Sequence, residues 1–378
     1  MRRGQPTGWF NGPALDAARS AAELPLVEEE RHADPGVPPT ADTPVVGRRV
    51  RGLLHGLAVG EALGAGISTR GVLQHGVATQ LACFTAAASI RTSMRRSVTG
   101  TADARGDLLD AYRRWARVWT APGRPAPSAV AWLDEVPLLA HSAGDPGDTV
   151  RGLATGPGGT RTDPVTTADG WHSLARALPL AAQVARDAGG AVDTAVDSAA
   201  LTHGSRTFAP AGLAVLLAGA ALRSGDPVRA VAEGITSAIL LGLDFAAVSL
   251  VDDAVRSARE TPSSPVVLRA GAPDESAAST LWGAVYCLLS RSDPADTRAA
   301  LALASAAPRP VAVTAVTGAL LGAVHGETAL PQAVLTRIDL AYVIDRLARD
   351  LARENSLNPD GSWGAASDPA WRARYGIV

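Results

Sequence analysis

The chain has 378 residues, of which 47% are hydrophobic and 4% aromatic, and its formal net charge is −2. A net charge so close to zero excludes the basic footprint that a nucleic-acid-binding protein needs. We find no uncharged stretch of about 18 strongly apolar residues and no apolar segment behind the N-terminal arginines, so we expect a cytoplasmic protein without a membrane span or secretory signal.

Residues 1–46 differ in composition from the rest of the chain. They are rich in Pro, Gly, Ala and acidic residues, as in EEERHADPGVPPTADTP. This composition predicts a flexible Pro/acid-rich leader that could hold one short helix near residues 13–30. From Val45 onwards apolar residues recur with a helical period, which predicts one all-α domain over residues 47–378.

The domain is predicted to be built entirely from helices. With few aromatic residues the core must consist mainly of Ala, Leu and Val, which favours closely packed helices. No alternating run of β-branched residues is long enough to predict a sheet. The predicted helices span residues 47–64, 79–95, 103–119, 125–140, 172–187, 191–201, 209–223, 227–241, 245–259, 276–290, 295–305, 311–324 and 331–353. The longest connector, 141–171, has a length typical of functional or disordered loops.

Several single residues have predictable places in this fold. Cys83 and Cys287 lie inside apolar helical patterns, which predicts buried thiols and not a disulfide or a metal pair. In the C-terminal tail we expect Trp363, Trp371 and Tyr375 to dock against the domain.

Four stretches, in this order along the chain, resemble the ADP-ribosylglycohydrolase family. They are RGLLHGLAVGEALG at 51–64, GDT at 147–149, ADGWHSLARALPL at 168–180 with ALTHG at 200–204, and VTAVTGALLGAVHGETALP at 313–331. The resemblance covers roughly residues 47–335. It implies an orthogonally packed all-α fold and, for active members, hydrolysis of ADP-ribosyl bonds by a pair of Mg²⁺ ions.

The chain departs from the family at the positions that hold the metals. Mg²⁺ needs oxygen ligands, usually carboxylates and water, and the family supplies them from a T-D-D-T stretch, a D-T-D-T stretch and a glutamate. The matching residues here are Gly76, Val77, Ala78 and Thr79 in the first stretch, Arg309, Pro310, Val311 and Ala312 in the second, and Ser68 for the glutamate. The resemblance therefore implies a degenerate site in which no metal is held.

Three further polar residues belong to these stretches or lie close to them in the sequence. Glu61 replaces the aspartate of the family's G-D-A-L-G turn, and it could bind a cation or cap the next helix. His75 could replace a metal ligand, but Mg²⁺ disfavours imidazole and a softer metal would need more partners than the neighbouring sequence offers. His55 shares a helix with apolar residues and is interpreted as a packed histidine.

Other residues are candidates for binding a ligand. The loop 155–170, ending at Gly170, is rich in Gly and hydroxyls and could cradle a diphosphate with backbone N–H groups. His203 matches the family's L-T-H histidine, although it could equally make a dipole contact at a helix end. Arg176 matches the family's arginine and could be structural. At the positions of the family's Asn-Gly pair this chain has Trp171 and His172, whose side chains are much larger. The full set of candidates is Glu61, Thr79, Gly170, His172, Arg176 and His203.

Three functions follow from the resemblance. The first is a pseudoenzyme without the binuclear magnesium site, which binds an ADP-ribose-like ligand or a protein partner. The second is an active hydrolase with a non-standard or metal-free site. The third is a scaffolding protein whose leader engages a partner.

Overall fold

A computed structural model of the protein describes residues 45–66, 71–120, 131–140, 143–154, 156–357 and 368–377. Within these ranges the chain is helical, with no β-strand and three isolated β-bridges. The predicted all-α class is confirmed. The predicted leader up to residue 44, Ser68 and Trp363 lie outside the described residues.

Sixteen α-helices form the described part of the chain. They are α1 (Val45–Gly64), α2 (Val77–Thr99), α3 (Ala104–Thr120), α4 (Gly147–Leu153), α5 (His172–Ala175), α6 (Ala188–Ala200), α7 (Phe208–Ser224), α8 (Pro227–Leu240), α9 (Phe245–Glu260), α10 (Pro265–Gly271), α11 (Ala277–Ser290), α12 (Thr297–Ala304), α13 (Pro310–His325), α14 (Gln332–Leu335), α15 (Ala341–Leu357) and α16 (Pro369–Arg374).

Helices α1 and α13 form the most extensive contact in the fold. Glycines recur every fourth residue along α1, so they share one face of the helix. On that face a Cβ added at Gly52 or Gly56 would collide with the backbone of Gly322 or Gly318 on α13. The two backbones therefore touch directly, as the Gly/Ala pattern of both segments predicts. The contact also brings the C-terminal end of α1 to the N-terminal end of α13.

Helix α7 is the apolar centre of the second half of the chain, and it packs against α6, α8 and α13. The segment 205–224 that contains it is long and apolar enough to cross a membrane, but 78% of its apolar window is buried inside the fold. Core helices that do not cross a membrane can be equally long and apolar.

Three predicted helices differ from those in the structure. The described part of 125–140 forms two 3₁₀ turns, Trp132–Glu135 and Pro137–Ala140, because Pro137 cannot continue a helix. The segment 172–187 breaks into α5 and a 3₁₀ turn, Leu178–Gln183, around Pro179. The segment 331–353 divides into α14 and α15. Helix α4 lies inside the connector predicted over 141–171, and α10 was not predicted at all.

The C-terminal helix docks as predicted for two of its aromatic residues. Trp371 and Tyr375 are buried, and the Tyr375 hydroxyl donates a 2.6 Å hydrogen bond to Oδ2 of Asp350 on α15. The guanidinium of Arg353 lies 4.7 Å from the centre of the Trp371 ring.

The two cysteines also have the places predicted for them. Cys83 and Cys287 are both free and buried.

Candidate functional site

A cleft of about 320 Å³ lies where the C-terminal end of α1 meets the N-terminal ends of α2, α4 and α13. Its volume falls within the range of small-molecule sites. Its lining includes Glu61, Gly76, Gly170, His172, His203 and Val311. The structure thus brings together candidates that are up to 250 residues apart in the sequence, from both stretches that bear metal ligands in the family.

Glu61 caps helix α2. Its Oε1 accepts a 2.9 Å hydrogen bond from the backbone N–H of Ala78, and its Oε2 accepts bonds of 2.9 and 2.6 Å from the backbone N–H and hydroxyl of Thr79. Gly76 permits this approach, because a Cβ there would overlap the carboxylate. Burial raises the pKa of Glu61, and the hydrogen bonds from Thr79 and Ala78 oppose that rise. Of the two roles predicted for Glu61, the structure favours the cap.

Where the family has acids, this chain has apolar residues or, in one case, an arginine outside the cleft lining. Val77 and Ala78 are buried at the first turn of α2, and Val311 lines the cleft at the first turn of α13. Arg309 is exposed at the N-cap of α13 and is not among the residues that line the cleft. Arg309, which matches the first acid of the family's second stretch, therefore contributes no side chain to the cleft lining.

These residues do not fit a pair of Mg²⁺ ions. Both oxygens of Glu61 already accept hydrogen bonds from α2, and its neighbours Val77, Ala78 and Val311 offer no side-chain oxygen. Nowhere in the described ranges do three His, Cys, Asp or Glu side chains come together in a way that could hold a metal ion. Mg²⁺ needs several oxygen ligands in fixed positions, and the part of the chain that the structure describes offers no such set.

His75 belongs to a buried chain of hydrogen bonds. Trp115 Nε1–H donates to Gln80 Oε1 over 2.8 Å, and Gln80 Nε2 lies 3.0 Å from His75 Nε2. His75 Nδ1 lies 2.8 Å from Oδ1 of Asp339. Since the Gln80 amide nitrogen can only donate, His75 accepts at Nε2 and donates from Nδ1. Both ring nitrogens are occupied, so His75 does not replace a metal ligand in this arrangement.

His203 lies on the floor of the cleft, beyond the C-terminal end of α6. Its Nδ1 lies 2.8 Å from the hydroxyl of Thr202, which accepts a 2.8 Å hydrogen bond from Nη2 of Arg176. Its Nε2 has no hydrogen-bond partner. Burial lowers the pKa of His203 well below its usual value, and the charge of Arg176 lowers it further. Both effects favour the neutral form of the imidazole.

Arg176 supports the floor from behind and does not line the cleft. It is fully buried, its guanidinium donates to the carbonyl of Ser198, and it lies 4.6 Å from the centre of the Tyr112 ring. Burial lowers its pKa. The structural role predicted for Arg176 agrees with these contacts.

Gly170 and His172 form one wall of the cleft. The backbone at Gly170 pairs with Ser276, and Trp171 N–H donates a 3.0 Å bond to the carbonyl of Glu275. The His172 ring lies 4.5 Å from the Trp171 ring. Burial, with a smaller effect from Arg176, lowers the pKa of His172 to about 4, so this wall is also uncharged.

Three acidic residues of the lining were missed at the sequence level: Asp145, Asp148 and Glu275. Asp148 lies in the GDT stretch that matches a family loop, so a signal for it was present. Glu275 reaches the cleft only through the backbone pairing between the 170 and 276 segments, and no sequence pattern indicates that pairing.

Comparisons with known proteins agree with this architecture. The family model described as ADP-ribosylglycohydrolase matches residues 42–361. The chain belongs to the ADP-ribosylglycohydrolase family. Among solved structures, it is similar to one described as "ADP-ribosylglycohydrolase-related protein complex", with a TM-score of 0.54 and 21% sequence identity. That match covers 82% of this chain and 98% of the other.

At this level of identity the structural match supports the fold alone. No curated protein matches the chain. Membership of the ADP-ribosylglycohydrolase family therefore rests on the sequence match, which covers α1 to α15. The cleft of this member has the floor and walls described above and carries no metal-ligand set within the described residues.

Proposed function

We propose that this member of the ADP-ribosylglycohydrolase family is a pseudoenzyme that binds an ADP-ribose-like ligand without magnesium. One observation carries the proposal. The carboxylate of Glu61, at the entrance to α2, accepts three hydrogen bonds from Ala78 and Thr79 and lies beside apolar side chains instead of further acids. A carboxylate held in this way stabilises the start of α2, and within the described residues it belongs to no group of three acids, histidines or cysteines that could hold a metal ion.

Retention of the cleft supports a binding role. A floor that had lost all function would be expected to fill with apolar side chains, because buried polar groups without partners are costly. Here His203 remains on the floor with an unpartnered Nε2, and Arg176 and Thr202 hold its other nitrogen. A ligand that supplies the missing partner accounts for this arrangement.

The proposal is tested by thermal unfolding with ADP-ribose in the presence of either Mg²⁺ or a chelator. A ligand that binds only the folded protein stabilises it by about 2.7 kcal/mol at a hundredfold excess over Kd. We expect ADP-ribose to raise the unfolding temperature by the same amount in both conditions. A parallel assay for release of ADP-ribose from an ADP-ribosylated peptide should give no turnover.

The other two functions are distinguished by the same measurements. A stabilisation that requires Mg²⁺, or measurable turnover, would support an active hydrolase and contradict the pseudoenzyme. If ADP-ribose has no effect in either condition, the binding proposal is wrong and a scaffolding role becomes the better explanation.

A further inference from the structure

A second cavity lies away from the cleft, between the C-terminal half of α2, the first turns of α3 and α6, and the 3₁₀ turn that precedes α6. Its volume is about 190 Å³, which is less than a drug-sized ligand needs and suits a small one. Among the described residues, none lines both spaces. Ser93 in the second cavity lies nearly five helical turns beyond Gly76 in the cleft, or about 25 Å along the axis of α2.

The α2 wall of this cavity presents hydrogen-bond donors. Ser89, Ser93 and Arg96 are spaced i, i+4 and i+7 along α2, so they share one face of the helix. Only 8% of Ser93 is exposed, and its hydroxyl has no hydrogen-bond partner in the described part of the chain. The Ser89 hydroxyl accepts a 2.5 Å hydrogen bond from Nε2 of Gln183, which leaves its own hydrogen to donate. Arg96 and Arg186 bring two positive charges to the same cavity.

The acidic residues of the lining already have partners. Oδ1 of Asp187 accepts a 2.8 Å hydrogen bond from the backbone N–H of Gly190 and so caps α6. Oδ1 of Asp193 lies 2.8 Å from Nη1 of Arg161. Both carboxylates are exposed to solvent, where salt screens their charge. The cavity therefore offers a ligand mainly donors and positive charge.

We propose that this second cavity binds a phosphate-like oxyanion, with the hydroxyls of Ser89 and Ser93 and the guanidinium of Arg96 as its donors. Such an ion accepts several hydrogen bonds at once, and its charge strengthens those from guanidinium groups. It gives the Ser93 hydroxyl the partner that it lacks, and a buried hydroxyl without a partner is costly. The dipole of α6, whose first turn lines the same cavity, also favours a negative charge. The site is independent of the function proposed for the cleft.

Calorimetric titration of the full chain with inorganic phosphate tests the site. The titration is carried out at constant ionic strength, with and without ADP-ribose, so that competition reveals any phosphate that binds in the cleft instead. We expect the same phosphate affinity in both conditions, and we expect phosphate to raise the unfolding temperature more than chloride does. Sulfate, which is also tetrahedral, should bind, whereas the planar carboxylate of acetate should bind more weakly.

Ser93→Ala is the most informative variant, because its two expected effects differ in direction. Without phosphate, removal of a buried hydroxyl that has no partner should leave the unfolding temperature unchanged or raise it. With phosphate, the loss of one hydrogen bond to a charged group should weaken binding about tenfold. Ser290→Ala is the matched control, since the Ser290 hydroxyl oxygen is also buried without a partner but lies at the end of α11, outside the cavity lining. It should leave the phosphate affinity unchanged.

Arg96→Gln tests the charge at the edge of the cavity. Arg96 is exposed in the last turn of α2, so the variant should fold normally and bind phosphate about tenfold more weakly. Arg259→Gln is the matched control, because Arg259 is exposed in the last turn of α9 and lines neither space. Both variants lose a similar interaction with a helix dipole, so the difference between them reports the site.

A small phosphate monoester distinguishes the two sources of the oxyanion. Tighter binding of glycerol phosphate than of inorganic phosphate would identify a phosphorylated small molecule as the ligand, and weaker binding would identify the free ion.

Three results would overturn the site: no binding of phosphate, an affinity that Ser93→Ala and Arg96→Gln both leave unchanged, or full displacement of phosphate by ADP-ribose. A failure of ADP-ribose to bind contradicts the function proposed for the cleft and leaves the phosphate titration and its variants as a separate test of this cavity.

Discussion

Among the single residues of the cleft, Glu61 has the largest structural role, because its carboxylate satisfies three donors at the start of α2. The first N–H groups of a helix have no partner within the helix, and a carboxylate close to them also interacts favourably with the helix dipole. Gly76 leaves the space that the carboxylate occupies. Glu61 thus has a local function that depends only on the fold.

Replacement of this residue tests that function. In Glu61→Ala two backbone N–H groups and the Thr79 hydroxyl lose their acceptor in a buried environment, which should lower the free energy of unfolding by about 2–4 kcal/mol. Urea denaturation measures the loss. Glu275→Ala is the control, since Glu275 is an exposed acid of the same cleft and its loss should cost less than about 0.5 kcal/mol. If wild-type stability instead rose with Mg²⁺ and the variant lost that rise, Glu61 would be a metal ligand.

At the scale of helices, the contact between α1 and α13 determines where the cleft can form. Gly52 and Gly56 face Gly322 and Gly318 so closely that no side chain fits between the two backbones. Interiors packed at this density respond strongly to one added carbon. The glycine pattern of the sequence is therefore a requirement of the fold, independent of any chemistry in the cleft.

A single methyl group tests this packing. The Cβ of Gly56→Ala would lie 2.0 Å from the backbone carbonyl oxygen of Gly318, whereas real Cβ contacts are essentially never shorter than 3.0 Å. We expect a loss of about 3 kcal/mol or more in the free energy of unfolding, at the upper end of overpacking costs. Gly189→Ala should be neutral or stabilising, because Ala favours the helix and meets no close atom there. Equal stability of the two variants would show that α1 and α13 can separate at little cost.

The sequence predicts helices well where an apolar period runs without interruption, as in α1, α7 and α13. It fails at Pro137 and Pro179, where turns replace the predicted helices, and at α10, which is too short to show a period. Within the cleft, family motifs predict that Glu61, His203 and Val311 converge. They do not predict that Glu275 lines the cleft or that Arg309 lies outside it. The pairing of two loops and the local path of the backbone decide those positions.

At the scale of the whole molecule, charged residues join the first long helix to the last. Asp345 on α15 lies 2.7 Å from Nε of Arg51 and 3.6 Å from His55 on α1, nearly 300 residues away in the sequence. Arg51 also pairs with Glu327 at 2.6 Å, just beyond α13. These ion pairs thus hold α1, α15 and the turn that follows α13 together.

The pH dependence of stability should report this connection. Burial alone would raise the pKa of Asp345, but hydrogen bonds from His55 and Arg51 outweigh it and lower the pKa to about 2. A carboxyl whose folded pKa is depressed stabilises the protein above its unfolded value near 3.8, and that contribution disappears as the pH falls through the folded pKa. Asp345→Asn should therefore lower the free energy of unfolding by about 2 kcal/mol near pH 7.

The difference between wild type and Asp345→Asn should shrink as the pH falls below about 4, which urea denaturation at a series of pH values can follow. Asp163→Asn, at an exposed loop residue, should show little difference from the wild type at any pH. A difference for Asp345→Asn that stays constant down to about pH 3 would mean that lost packing, and not lost charge, explains its effect. In that case the contact between α1 and α15 would depend on the apolar residues around Asp345, and the ion pairs would add little to it.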